Sequence, residues 1–113
     1  MTGVRLAPRL AALPVATALG WEVPVATGFR ARLLGLALLR PEEAGAGVLI
    51  PRCASVHTFG MRFDLDLVFL DGDGRALAVS LRVPPRRLAW RRGAAAVLEI
   101  PSPRGGEFAA PLT

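Results

Sequence analysis

CASVHTFGMRFDLDLVFLD, residues Cys53 to Asp71, holds the chain's one histidine, its one cysteine and two near-adjacent aspartates within fourteen positions. Its second half alternates as an extended strand does, with Phe63, Leu65, Leu67 and Phe69 on one face and Asp64, Asp66, Val68 and Leu70 on the other. That strand starts half polar and ends apolar on both sides, the pattern of a strand running into a core. Asp71-Gly72-Asp73-Gly74 then reads as a hairpin turn, because aspartate and glycine tolerate the positive φ such turns require. The return strand, Arg75 to Val83, alternates again, with Leu77, Val79, Leu81 and Val83 expected inward and the small Ala76, Ala78 and Ser80 on the partner face.

Upstream, Ser55 to Phe59 and the apolar Val48 to Ile50 read as short strands, preceded by a surface loop, Pro41 to Gly47. Phe29, Leu33, Leu36 and Leu39 recur at offsets of four, three and three, which predicts a helix of about three turns with Thr27 as N-cap and Pro41 as its stop. Gly35 inside it costs about 1 kcal/mol of helix propensity, which a close approach to a neighbouring strand would explain. Further back, LPVATALG and VPVATGFR fit two short strands joined as a hairpin through Gly20. Downstream, Pro84 to Gly93 reads as a basic loop, Ala95 to Ile100 as a last strand, and 102–113 as an irregular tail.

One helix against six or seven strands makes the class mainly β: a small β-sandwich or barrel of short, mostly antiparallel strands with one short helix. A chain of 113 residues, 52% hydrophobic and 20% charged, suits one domain over 1–113. Its longest apolar run, Leu10 to Leu19, is broken by Pro14 and is far shorter than the ~20 residues that span a bilayer. No integral membrane segment is therefore expected, and a cytoplasmic location is favoured over secretion. One cysteine cannot form an intrachain disulfide. All fourteen basic residues are arginine and the net charge is +5. That excess favours an anionic ligand or nucleic acid as partner, or serves solubility alone.

Two groups of residues could carry function. His57 could act as a general base or ligand contact with Asp66 or Asp64 orienting it, and Thr58, Met61, Arg62 and Arg32 complete the surrounding set. The competing reading makes His57 a hydrogen-bonded structural residue. Cys53 and His57 have a C-x3-H spacing, but no second such pair exists, so no metal is expected. No cofactor fingerprint or phosphate loop is present. The second group is Arg82, Arg86, Arg87, Trp90, Arg91 and Arg92, in which arginines and one aromatic could grip a phosphate backbone and stack a base.

The order RLLGL at Arg32 to Leu36, SVHTFGMRFDLDLVFLDGDGRAL at Ser55 to Leu77 and AVLEI at Ala96 to Ile100 resembles the DUF192 family (domain of unknown function 192), in its His-Thr-Phe-Gly-Met branch. The resemblance spans roughly 21–101 and implies a small β-rich sandwich with one short helix and no established reaction. The family signature falls on Arg32, Gly35, Leu36, His57, Thr58, Met61, Asp66, Phe69, Asp71 and Glu99. Another branch carries tryptophan where His57 stands, so the resemblance makes Asp66 the better shared polar residue, with bonding of backbone amides at a strand entry as one role. Two departures stand out: Asp64 replaces a usual proline, and the tail lacks the Gly-Asp signal of the family's closing strand, which would leave a sheet edge open.

The expectation is a non-catalytic binding or accessory module using the face around His57 and Asp66, as a monomer or weak homodimer. One alternative is a small hydrolase or lyase with His57 as base and Asp66 as orienter. The other is non-specific nucleic-acid binding through the Arg82 to Arg92 loop.

Overall fold

The computed structural model describes residues 6–102, so the tail expected at 102–113 falls outside the described residues beyond Ser102. Eight strands are present among them: β1 (Val15–Ala18), β2 (Trp21–Pro24), β3 (Val48–Pro51), β4 (Ser55–His57), β5 (Leu65–Leu70), β6 (Ala76–Val83), β7 (Leu88–Trp90) and β8 (Ala96–Pro101). A central antiparallel sheet runs β3-β8-β5-β6, while β1-β2 and β4-β7 form two separate antiparallel ribbons. The fold is mostly β and sandwich-like, as its sequence pattern predicts, and the sheets do not close into a barrel.

The strand β5 is buried at every position because the central sheet carries a core on each face. On one side Leu65, Leu67 and Phe69 pack with Val48, Ile50 and Val97 beneath Leu36, Leu39, Val56 and Met61. On the other, Val68 and Leu70 join Leu98 and Ile100 against Ala18 and Val23 of the β1-β2 ribbon. The turn after β5 forms as expected: the Asp71 carboxylate accepts the amides of Asp73 and Arg75 at 2.8 and 3.0 Å.

Several local expectations are corrected. The expected helix is α2 (Phe29–Leu34), only six residues long, with Gly28 at its N-cap in place of Thr27. It stops because Gly35 takes φ +50°, and a side chain there would meet the Glu99 carboxylate on β8. Gly35 thus ends the helix, and Phe29 and Leu33 stand 81% and 53% exposed while Leu36 and Leu39 are buried. A second helix, α1 (Pro8–Ala11), precedes β1, and Pro41–Glu43 of the expected loop winds into a 3-10 turn. In β6 the register against β5 slips between Leu65 and Leu67 and again between Phe69 and Leu70. Those slips break the simple alternation, so Leu77 and Leu81 are exposed instead of inward. The segment read as a basic loop contains β7, which pairs with β4. No helix among the described residues is long and apolar enough to cross a membrane.

Candidate functional site

His57, Thr58 and Asp66 of the central motif are spent on backbone. His57 sits at the end of β4, its Nε2 3.0 Å from the Leu33 carbonyl and its Nδ1 3.2 Å from the Phe59 amide. A carbonyl can only accept and an amide can only donate, so both bonds form when Nε2 carries the proton and Nδ1 offers its lone pair. The lone pair a general base would use is thereby occupied. Asp66, fully buried on β5, accepts the Arg82 amide at 2.8 Å.

Thr58 is fully buried and clamps the next turn of chain. Its hydroxyl donates to the Pro84 carbonyl at 2.7 Å and accepts the Arg87 amide at 2.8 Å. Its own amide donates to Arg87 and its carbonyl accepts from Arg86. Arg32 on α2 donates to the Arg52 carbonyl at 2.9 Å.

Each of these three clamps falls at or beside unusual backbone. Arg52, Arg82 and Arg86 all hold left-handed conformations, at φ +50°, +54° and +67°. Such a conformation costs a residue with a side chain about 1–2 kcal/mol. Arg32, Asp66 and Thr58 each bond the peptide group of one of these arginines, or its immediate neighbour, and so hold strained backbone in place at three separate points of the chain.

The expected face is divided by burial. Thr58, Met61 and Asp66 lie inside, while Arg62 and Asp64 are exposed and His57 is half-buried. What the structure brings together instead is His57 and the arginine segment. In the β4-β7 ribbon Ser55 pairs with Trp90, Val56 with Ala89 and His57 with Leu88. Paired residues share a face, and residues two apart along a strand do too. Val56 and Ala89 therefore turn inward, while Ser55, His57, Leu88 and Trp90 share the outer face, which lines an open depression of about 300 Å³. Trp90 is 72% and Leu88 68% exposed. The Phe59 ring stands beside that of His57, with centroids 5.9 Å apart. Arg86, Arg87, Arg91 and Arg92, exposed at the two ends of β7, flank this face.

Two residues that sequence reasoning passed over as site candidates hold the other end of α2. The Leu36 amide donates to Glu99 Oε1 at 3.2 Å, and Glu99 is buried on a central strand. Burial pushes its carboxyl pKa up to about 8, against a smaller opposing effect of the Leu36 hydrogen bond. Arg9 supports the same turn from outside, donating through one nitrogen to the Gly35 and Ala37 carbonyls at 3.0 and 2.6 Å. Glu99 was legible as part of the family signature; nothing in the sequence near Arg9 signals its role. Among the described residues no group of three or more His, Cys, Asp or Glu side chains is placed to hold a metal ion. The Cys53 thiol donates to the Ser55 carbonyl at 2.8 Å.

Comparison with known proteins gives a family and a fold. The family model described as an uncharacterised ACR, DUF192, matches residues 13–109. A protein of unknown function from Novosphingobium aromaticivorans DSM 12444 superposes with a TM-score of 0.66 at 20% identity, over 92% of this chain and 84% of its own. A candidate transcription regulator from Sinorhizobium meliloti 1021 gives 0.66 at 21% identity, over 84% of this chain and 82% of its own. No curated protein matches the chain.

Proposed function

The chain belongs to the DUF192 family, and from that premise we propose a non-catalytic binding module whose contact surface is the outer face of the β4-β7 ribbon. The partner we infer is single-stranded nucleic acid. One observation carries this reading: strand pairing sets Trp90 and His57 on a single exposed face between Arg86 and Arg87 on one side and Arg91 and Arg92 on the other. A flat exposed ring stacks on any base, and arginines on either side neutralise the phosphates of the same strand. Ring stacking and charge together favour nucleic acid over an acidic protein surface, which has no planar bases to present.

The clamps support the same reading. Glycine would hold the left-handed positions at Arg52, Arg82 and Arg86 without steric strain, yet arginine stands at each. A charged side chain kept at a strained position is consistent with a use for the charge. The hydrolase reading gains no support, since His57 would have to surrender the Phe59 amide to act as a base and Asp66 bonds the Arg82 amide.

The test is binding of a labelled single-stranded oligonucleotide, followed by fluorescence anisotropy between about 50 and 200 mM salt. Affinity should fall steeply with salt and should drop when Arg86, Arg87, Arg91 and Arg92 are changed together to glutamine. Absence of binding at the lowest salt, or binding indifferent to the four substitutions, would refute the proposal.

A further inference from the structure

A cavity of about 230 Å³ opens between α1, α2 and β3, lined by residues different from those of the ribbon face. Leu10, Leu34 and Val48 give it hydrocarbon walls, Gly35 lies along it, and two arginines, Arg9 and Arg30, are among the residues that line it. An apolar enclosure with a few converging polar groups is the usual make-up of a small-molecule site, and here the polar groups are both cations.

We propose that this cavity binds a small apolar carboxylate, a ring or short alkyl chain ending in one anionic group. Size sets the limit: an apolar cavity of ~150 Å³ holds benzene, so this one takes a body of roughly ten heavy atoms. Arginine sets the head group, because the planar fork of the exposed Arg30 matches a carboxylate in two parallel bonds while Arg9 adds a further positive charge.

Arg9 is already positioned, since its Nη2 bonds to the Gly35 and Ala37 carbonyls fix the guanidinium before any ligand arrives, and with Nη2 so engaged it has single N–H bonds, not a bidentate fork, to offer. A donor ordered in advance loses little freedom on binding. Arg30 is exposed and free to swing onto the carboxylate. Two acids are near. Glu43 attracts Arg9 electrostatically from the 3-10 turn, and the Glu99 carboxyl lies behind Gly35. Burial raises the Glu99 carboxyl pKa to about 8, which weakens its opposition to a bound anion's two arginine partners at neutral pH. The site stands apart from the nucleic-acid reading, and neither depends on the other.

The experiment is an amide NMR titration of the full chain with phenylacetate and, separately, with the neutral 2-phenylethanol. Saturable shifts at the Gly35 and Leu36 amides are expected, with phenylacetate binding about tenfold more tightly than the alcohol. Arg30→Gln should remove most of that preference, and Ala31→Phe, which fills the cavity from α2, should abolish binding. Arg30 is exposed, so its variant stays folded even if the larger phenylalanine is not accommodated. Equal affinity for acid and alcohol, shifts at the arginines flanking β7 in place of Gly35, or an Arg30→Gln protein that binds as the parent does would overturn the proposal.

Discussion

The Asp66 carboxylate accepts the backbone amide of Arg82 at 2.8 Å, at the point where β6 slips one step in register and Arg82 turns left-handed. A signature aspartate is thus committed to a bulge on the neighbouring strand. Bulges re-aim the chain that follows, and here the chain that follows is the arginine segment leading into β7.

Removing that acceptor should be costly and replacing it should not. Asp66→Ala leaves a partly buried amide without its partner, a loss of about 1.5–3 kcal/mol for a bond to a charged group. Asp66→Asn retains a carbonyl oxygen at the same place and should recover most of it. Urea denaturation of the two variants distinguishes these outcomes, and equal destabilisation by both would show that the charge, not the acceptor, matters.

The strained arginines make the opposite prediction. Arg82→Gly and Arg86→Gly relieve the left-handed penalty while adding freedom to the unfolded chain, so stability should hold or rise by up to about 1 kcal/mol. Oligonucleotide affinity should nevertheless fall. A thermal melt and a binding titration on the same preparation separate the two effects.

Glu99 gives stability a pH dependence of known sign. Its carboxyl has the ordinary value of 4.5 when unfolded and about 8 when folded. Between those values the folded state holds the extra proton, so this contribution is complete below 4.5, shrinks as pH rises, and is gone above 8. The slope approaches about 1.4 kcal/mol per pH unit. Glu99→Gln keeps an acceptor for the Leu36 amide and carries no charge, so its stability should be flat where the parent's declines. Denaturation midpoints at several pH values across that window are the check.

Gly35 and Glu99 should prove coupled. Gly35→Ala brings a methyl group onto the Glu99 carboxylate in a left-handed conformation, and the two penalties together should cost about 2 kcal/mol or more. With Glu99→Ala already present the collision vanishes and only the backbone cost remains, so the double variant should be more stable than additivity allows.

Much of the frame was legible because local signals agreed with the fold. Asp71 to Gly74 names its own turn, and the repeated apolar faces of β5 and the β1-β2 ribbon name theirs. Other features were hidden by contacts distant in sequence. Apolar spacing overextends the helix at Phe29 because Gly35 terminates it against a glutamate 64 positions later. Regular alternation predicts Leu77 and Leu81 inward because it cannot anticipate two slips in register on an edge strand. Trp90 reads as a loop residue in the sequence because three residues bracketed by arginines do not announce a strand until β4 supplies the partner. The motif residues were visible, but their shared task of bonding arginine backbone was not, since those bonds reach across 16 to 29 positions.

Trp90 is the most direct reporter of the proposed surface. In a Trp21→Phe variant it becomes the chain's one tryptophan, and its emission can be followed as single-stranded oligothymidine is added at low salt. Saturable quenching that reverses as salt is raised is the predicted result, because the ring stacks on a base only while the arginines hold the strand. Emission that stays unchanged to saturating oligonucleotide would contradict the account, and the ribbon face would then have another occupant.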